Sequence, residues 1–413
     1  MTDTHDVTVV RELALQYRDA AAKPVQDERR RLWTRHNSRK PTRPLVLATF
    51  GMWNVWCREM FGDHALQCRD PFFRQHERAL RLLLFQDSVG DDFILEPWYT
   101  MRAAVEGGWS DIWGVELSHI SPDVEGGAWQ FDPPVKTWDD VRRLRAPRHF
   151  IDQDRTREEC DRLSAAIGDI LPIHLARHPA CVNFKADIST DLTQLRGLQQ
   201  LMLDMYESPE ELHRLLAFMR DGILANQQAG ETAGDWSRAD GSNQAMAYAE
   251  ELPPPQAGGY GCARSQLWGF FAAQEFTLIS PAMHDEFLLQ YQLPIMSKFG
   301  LTAYGCCEDL TRKIDMLRQV PNLRIIAVTP RADVRRCAEQ IGTDYVISWR
   351  PNPADMVCCG FDEARILRIL REGLAACKGC HVHLHLKDVE TVEGDPARLA
   401  RWVGLVRRVA DEH

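Results

Sequence analysis

Apolar and polar positions alternate most regularly in the C-terminal part of the chain, which reads as four consecutive strand–helix units. Each unit begins with a short apolar run and continues into a segment of helical periodicity. The predicted strands are LTAYGC, LRIIAVTP, YVISWRP and HVHLHLK. The helices that follow them are DLTRKIDMLRQV, RADVRRCAEQIG, a segment over about 361–376, and DPARLARWVGLVRRVADE. Such a succession indicates parallel strands joined by right-handed crossovers.

The pattern before residue 300 is less regular but contains the same two kinds of element. Further strands are predicted at PLVLATFG (44–51), DDFILEPWYT (91–100) and ILPIHLARHPA (170–180). Further helices are predicted over 191–206, 208–229 and 280–300. Residues 231–265 are rich in Gly, Pro and Ser, and they predict a long loop of the kind that is often functional in a compact domain.

These elements predict an α/β fold, specifically a (β/α)₈ TIM barrel with an N-terminal helical extension and insertions. The extension is predicted over 1–40 and the barrel over 41–413, with an elaborated region at about 52–150. A doubly wound open sheet is the alternative, but no G-x-G-x-x-G motif follows the first predicted strand. The length of 413 residues suits a barrel with insertions.

Charge and composition narrow the class of function. The formal net charge is −10, which disfavours binding to nucleic acid. No apolar run reaches the roughly 18 residues that span a membrane, and the N-terminus lacks a secretory pattern, so a cytoplasmic protein is expected. The 12 cysteines are then expected to be mostly free thiols.

Polar and reactive side chains collect where the predicted strands end, which is where barrel enzymes place their active sites. The strand-end residues singled out are Tyr304, Cys306, Cys307, Glu308, Trp349, Asn352 and Asp388. The adjacent thiols of Cys306 and Cys307 have three interpretations: buried core, a redox pair or metal ligands. Their position at a strand end makes the redox pair the least favoured of the three.

The last predicted strand alternates histidine with apolar residues. Since side chains alternate faces along a strand, the apolar positions should face the helices, while the histidines and Lys387 face inward. A thiolate and an imidazole together are typical zinc ligands. We therefore predict a zinc site formed by Cys306 or Cys307 with His383 or His385.

The same segments resemble the uroporphyrinogen decarboxylase superfamily, most closely its zinc-dependent methyltransferases that serve corrinoid proteins. The similar stretches are LMLDMYESPEELHRLLAFMRDGI (201–223), LISPAMHDEFLLQYQLPIMSKFG (278–300) and YGCCEDL…IGTDYVISWRPNPADM (304–356). The resemblance implies a barrel with zinc at its mouth. The family carries His-x-Cys at one strand end, where this chain has Tyr304 and Cys306. A later cysteine of the family corresponds by spacing to Cys380 and by strand end to His383–His385.

The predicted function is therefore zinc-dependent transfer of a methyl group between a small methylated compound, or a methyl-corrinoid on a partner protein, and a thiol or other acceptor. Glu308 and Asp388 would support the ligands or transfer protons, and Tyr304, Trp349 and Asn352 would contact substrate. A metal-free decarboxylase or lyase using Lys387 and Asp388 is the alternative. A binding protein that has lost its chemistry is the third possibility.

Overall fold

The computed structural model describes residues 4–48, 55–105, 111–120 and 130–412, apart from the side chains of residues 56, 119 and 130. The helices are α1 Thr4–Ala21, α2 Pro24–Asn37, α3 Pro71–Val89, α4 Gln153–Ile167, α5 Ser189–Arg196, α6 Leu198–Glu207, α7 Pro209–Thr232, α8 Pro281–His284, α9 Gln290–Met296, α10 Ile314–Leu317, α11 Val334–Ile341, α12 Glu363–Ala376 and α13 Ala397–Asp411. The strands are β1 Leu45–Leu47, β2 Tyr99–Arg102, β3 Ser118–Ile120, β4 Gln130–Asp132, β5 Ile173–Ala176, β6 Trp268–Phe271, β7 Leu301–Tyr304, β8 Leu323–Val328, β9 Val346–Trp349 and β10 His381–His385. None of these helices has the length and apolarity that crossing a membrane requires.

A parallel six-stranded sheet organises the fold, with the strand order β1-β10-β9-β8-β7-β6. A separate parallel pair joins β2 to β5, and β3 and β4 form an antiparallel hairpin. The first strand of the chain lies beside the last, as it does in a barrel. The parallel α/β prediction is confirmed, although the pairings among the described residues form a six-stranded sheet and a pair rather than a closed ring.

The four C-terminal strand–helix units are confirmed, whereas several elements before residue 300 differ from their predicted bounds. The prediction omitted β6, whose WGFF sequence follows the Gly- and Pro-rich loop and is buried along its whole length. The segment 91–100 is a strand only from Tyr99, because the carboxylates of Asp91 and Asp92 accept hydrogen bonds from the backbone of β1 and its continuation. The predicted helix 191–206 is divided at Gly197, where φ is +84°. Residues 52–54, 106–110 and 121–129 of the predicted elaborated region lie outside the described residues.

The N-terminal segment is helical as predicted, and α2 packs directly on the sheet. The Trp33 ring lies 5.3 Å from the His383 ring, and the Trp33 indole donates a hydrogen bond to the Asp92 carbonyl. The side-chain amide of Asn37 donates to the carbonyls of Met246 and Tyr248 in the long loop. Helix α2 therefore covers the sheet near the start of β10. The division at residue 40 stays a prediction.

The two faces of β10 differ as the alternation predicted. Val382, Leu384 and Leu386 belong to the main apolar core, together with Leu370 of α12 and Trp402 of α13. His383 and His385 lie on the opposite face and are completely buried. This alternation determines which strand-end side chains enter the interior of the sheet and which pack against helices.

Trp349 and Gly373 show how closely the helices pack on the outer face. A Cβ atom at Gly373 would lie 2.1 Å from Cη2 of the Trp349 ring. We expect Gly373→Ala to lower the free energy of unfolding by about 1–3 kcal/mol, because overpacking forces side chains or backbone to shift. Urea denaturation measures it. The control is Gly404→Ala in α13, where a Cβ meets nothing within 4 Å, so that Ala should be neutral or stabilising. Equal losses in the two variants would contradict this account.

Candidate active site

A pocket of about 210 Å³ opens where β7, β9 and β10 end. Its wall contains two thiols, three cationic side chains, a carboxylate and three prolines: Cys306, Cys307, Arg331, Arg350, Lys387, Asp388, Pro330, Pro351 and Pro353. The strand-end location was predicted from the sequence. The lining includes Cys306 and Cys307, which were predicted as metal ligands, and Asp388, which was predicted as a catalytic residue.

Cys306 lies at the centre of the charged groups. Its Sγ is 2.9 Å from Nζ of Lys387, 3.5 Å from Sγ of Cys307 and 3.9 Å from Nε2 of Gln244. The hydrogen bond from Cys307, with the charges of Lys387 and Arg350, lowers the pKa of Cys306 to about 6 against the opposing effect of burial. Cys306 is therefore a thiolate at neutral pH, which is the reactive and metal-binding form of cysteine.

Cys307 is the protonated member of the pair. Its hydrogen bond to Cys306, its partial burial and the negative charge of Cys306 all raise its pKa. The residue is exposed, whereas Cys306 is buried. Asp388 Oδ2 lies 3.8 Å from the Cys307 sulfur. The two adjacent cysteines therefore differ in both charge and access to solvent.

Lys387 is the principal cation of the site. Burial and the charge of Arg350 oppose its protonation, but the negative charges of the Cys306 thiolate and the Asp388 carboxylate outweigh them, and the pKa of Lys387 is raised. The Nζ atom lies 3.4 Å from Oδ2 of Asp388. Lys387 therefore stays an ammonium that contacts both the thiolate and the rim carboxylate.

Arg350 and Gln244 complete the site. The sequence places Arg350 at the end of the third of the four C-terminal strands, but it predicted no role for either residue. Arg350 donates hydrogen bonds to the Cys306 carbonyl and, at 2.9 Å, to Oε1 of Gln244. Gln244 and Asp388 both have φ near +57°, a left-handed conformation that is uncommon outside glycine. Such backbone strain is concentrated at functional sites. The one signal for Gln244 was its position in the long loop 231–265.

Glu308 positions the thiolate rather than lining the pocket. Its carboxylate is completely buried and accepts hydrogen bonds of 2.7 Å from the backbone N–H groups of both Cys306 and Ala273. Its own carbonyl accepts a hydrogen bond from Thr329. The carboxylate oxygens are thus directed at backbone groups that fix the turn after β7. Glu308 was predicted to support the ligands or to transfer protons, and these contacts agree with the supporting role.

The three predicted substrate contacts lie on the helix side of the sheet. Tyr304 is buried, with its hydroxyl 2.8 Å from Gln292 Oε1 and 2.9 Å from His284 Nε2. Trp349 packs over Gly373, and it lines with Asn352 a separate groove of about 400 Å³. Tyr304 and Cys306 are two positions apart and would share a face if β7 continued. The strand ends at Tyr304, and the φ of +105° at Gly305 turns the chain, so that Cys306 lies on a different side from Tyr304.

The predicted histidine ligands do not join the thiols. Nδ1 of His383 lies 3.0 Å from Nε2 of His36, and burial lowers the pKa of both rings, that of His36 to about 3. Burial and the charges of Arg350 and Lys387 likewise lower the pKa of His385, which is therefore neutral. Among the described residues, no group of three or more His, Cys, Asp or Glu side chains could hold a metal ion.

The described residues therefore do not fit the predicted zinc site. A catalytic zinc ion takes three protein ligands and an open position. Here the cation in contact with Cys306 is the Lys387 ammonium, at hydrogen-bonding distance. Zinc stays a prediction from the sequence, and no step below depends on it.

Comparison with solved structures identifies a shared fold. A methyltransferase from Methanosarcina mazei superposes with a TM-score of 0.54, covering 93% of this chain and 98% of that chain. The sequence identity is 12%, so the likeness concerns the fold alone. Neither a protein-family model nor a curated protein sequence matches the chain.

The protonation of Cys306 can be measured directly. Thiolates absorb near 240 nm in the ultraviolet, and we expect an absorbance step with its midpoint near pH 6, the thiolate forming as pH rises. Cys306→Ser should remove the step, while Cys359→Ser, an exposed member of the second Cys–Cys pair, should leave it unchanged. A step that survives Cys306→Ser would contradict the assignment. Lys387→Met should move the midpoint to higher pH, because it removes a positive charge beside the thiolate.

The positioning role of Glu308 has its own test. In Glu308→Gln one of the two carboxylate oxygens becomes an NH₂ group, which faces a backbone N–H that then has no acceptor. We expect the free energy of unfolding to fall by about 2 kcal/mol, as measured by urea denaturation. The control Glu372→Gln, in α12 with its side chain 65% exposed, should change it little. Equal stability of the Glu308 variant and the wild type would rule out this role.

Proposed function

We propose that this chain is a methyltransferase in which the Cys306 thiolate acts as a general base and the Lys387 ammonium as a general acid. The observation that carries the proposal is their 2.9 Å contact in a pocket at the ends of parallel strands. The fold shared with a methyltransferase supports the reaction class. We also infer that the eight parallel strands, six in one sheet and two in the pair, form the predicted (β/α)₈ barrel.

The proposed step needs only proton transfers by these two side chains. An acceptor X–H, such as a thiol, gives its proton to the Cys306 thiolate, and X⁻ attacks the methyl carbon of the donor CH₃–Y. The X–C bond forms while the C–Y bond breaks, and Y leaves with the electron pair. A basic Y takes a proton from Lys387, and the proton on Cys306 then passes across the 2.9 Å contact to Lys387. A weakly basic Y, such as a corrinoid, leaves unprotonated beside the Lys387 charge, and the proton on Cys306 goes to solvent.

The chemistry of the pocket suits this sequence of events. A base with a pKa of about 6 is largely deprotonated at neutral pH and still accepts a proton effectively. The Lys387 side chain is 8% exposed, so its charge acts where water is largely excluded. The donor would be a small methylated compound or a methyl-corrinoid on a partner protein, as the resemblance implies.

A metal-free decarboxylase or lyase is the second candidate, and one observation favours it. Arg331, Arg350 and Lys387 converge on one small pocket, where they would bind the carboxylate of a substrate. After loss of carbon dioxide, Lys387 would protonate the carbanion. Release of carbon dioxide from a carboxylic acid, without methyl transfer, would favour this candidate over the first.

The methyltransferase proposal is tested with methylcobalamin as donor and 3-mercaptopropionate as acceptor, following the donor's visible absorbance and the methylated thiol. We expect turnover to rise with pH through about 6 and to fall by about 10²–10⁴-fold in Cys306→Ser and in Lys387→Met. Cys359→Ser should retain full activity.

Metal analysis and chelation complete this test. Activity should survive EDTA in protein that contains no stoichiometric zinc. One tightly bound zinc per chain that is lost in Cys306→Ala, with activity lost on chelation, would replace the acid–base step by the zinc chemistry predicted from the sequence. Wild-type activity in Lys387→Met would exclude Lys387 as the acid.

A further inference from the structure

The two adjacent thiols at the pocket form a chelating pair. Their sulfurs are 3.5 Å apart, and both line the same cavity. Cys306 is ionised and accepts a hydrogen bond of 2.9 Å from Nζ of Lys387, whereas Cys307 keeps its proton and is exposed. The pair therefore combines a ready nucleophile with a second thiol that an incoming molecule can reach.

We propose that Cys306 and Cys307 together bind a trivalent organoarsenic compound, R–As(OH)₂, as a cyclic dithiolate. Arsenic(III) is pyramidal with three ligands, so an organic substituent and two sulfurs complete its shell. Its two sulfur ligands lie close together, near the separation that these thiols already have. The preference of soft centres for thiolate ligands favours the same pairing.

The donor set distinguishes this ligand from zinc. Zinc needs at least three protein ligands, and the described residues bring no such group together at the pocket. An organoarsenic centre brings its own carbon as the third ligand, so two thiols suffice. The proposal does not depend on the methyltransferase function, since it concerns only the two sulfurs and the space beside them.

The reaction balances with groups present at the site. The Cys306 thiolate attacks arsenic, an As–S bond forms, and hydroxide leaves with the As–O electron pair. Lys387, 2.9 Å from that sulfur, supplies the proton that turns the hydroxide into water. The Cys307 thiol then displaces the second hydroxide and gives it its own proton, so that a second water leaves. No oxidant or reductant takes part.

The pocket provides room for the organic substituent. Its volume is about 210 Å³, and Pro330, Pro351 and Pro353 supply an apolar wall that is rigid. A methyl or phenyl group would lie against these rings.

The other closely spaced cysteines are less suited to the reaction. Burial is the main cause that raises the pKa of Cys377 to about 12 and the pKa of Cys358 above its usual value. A protonated thiol is a poor nucleophile at neutral pH. Cys377 and Cys359 therefore provide matched controls for the Cys306–Cys307 pair.

The experiment uses phenylarsine oxide, which hydrates to the dihydroxy form, with the full-length protein and intact-mass spectrometry at pH 7. We expect one adduct per chain that resists excess 2-mercaptoethanol and is removed by 2,3-dimercaptopropanol, because only a dithiol competes with chelation. Formation of the adduct should also abolish the thiolate absorbance step near pH 6. Cys307→Ser should weaken retention at least about 100-fold, since a linked second thiol acts at high effective concentration.

Matched variants separate this site from the other thiols. Cys359→Ser and Cys377→Ser should bind as the wild type does. Cys307 is exposed, so the Cys307→Ser variant should fold as the wild type does. Circular dichroism checks that it does. An adduct that persists against 2-mercaptoethanol in Cys307→Ser, or one that is lost in Cys377→Ser, would overturn the proposal.

Discussion

The contact between the Lys387 ammonium and the Cys306 sulfur is the interaction on which the rest of the site depends. The two residues are 8% and 3% exposed, and a single charge this deeply buried would be costly. Each charge is stable because the other lies 2.9 Å away. The pair also sets the protonation of its surroundings: Cys307 keeps its proton beside a thiolate, and positive charge together with burial keeps His385 neutral.

The fold holds this pair through backbone contacts rather than through a cluster of acidic side chains. Glu308 accepts hydrogen bonds from the turn after β7 and from the segment after β6, so it connects two neighbouring strand ends. Arg350 at the end of β9 bridges the Cys306 carbonyl to Gln244, which enters from the long loop. Three strand ends and one loop therefore determine where a single sulfur atom lies.

Sequence reasoning found the parts of the site that follow from local periodicity. The four strand–helix units and the alternation of β10 placed Cys306, Asp388 and Lys387 at one edge of the sheet. Contacts between distant segments could not be found this way. His36 meets His383 across 347 positions, and Gln244 approaches Cys306 from a loop without periodicity. Tyr304 and Trp349 were predicted to contact substrate, but they are the last residues of β7 and β9 and face the helices, whereas the chain turns after them to bring Cys306 and Arg350 to the pocket.

The position of Lys387 relative to Cys306 also measures how strongly the sheet bends. The two residues follow β10 and β7, which are separated by β8 and β9. In a flat sheet these strands would lie three spacings, or about 14 Å, apart, with side chains roughly perpendicular to the plane. The 2.9 Å contact between Nζ of Lys387 and Sγ of Cys306 indicates that the sheet curves, so that the ends of β10 and β7 approach each other. We expect a change that flattens the sheet to draw Lys387 away from Cys306, and the pKa of the Cys306 thiol would then rise because the thiolate loses its neighbouring positive charge.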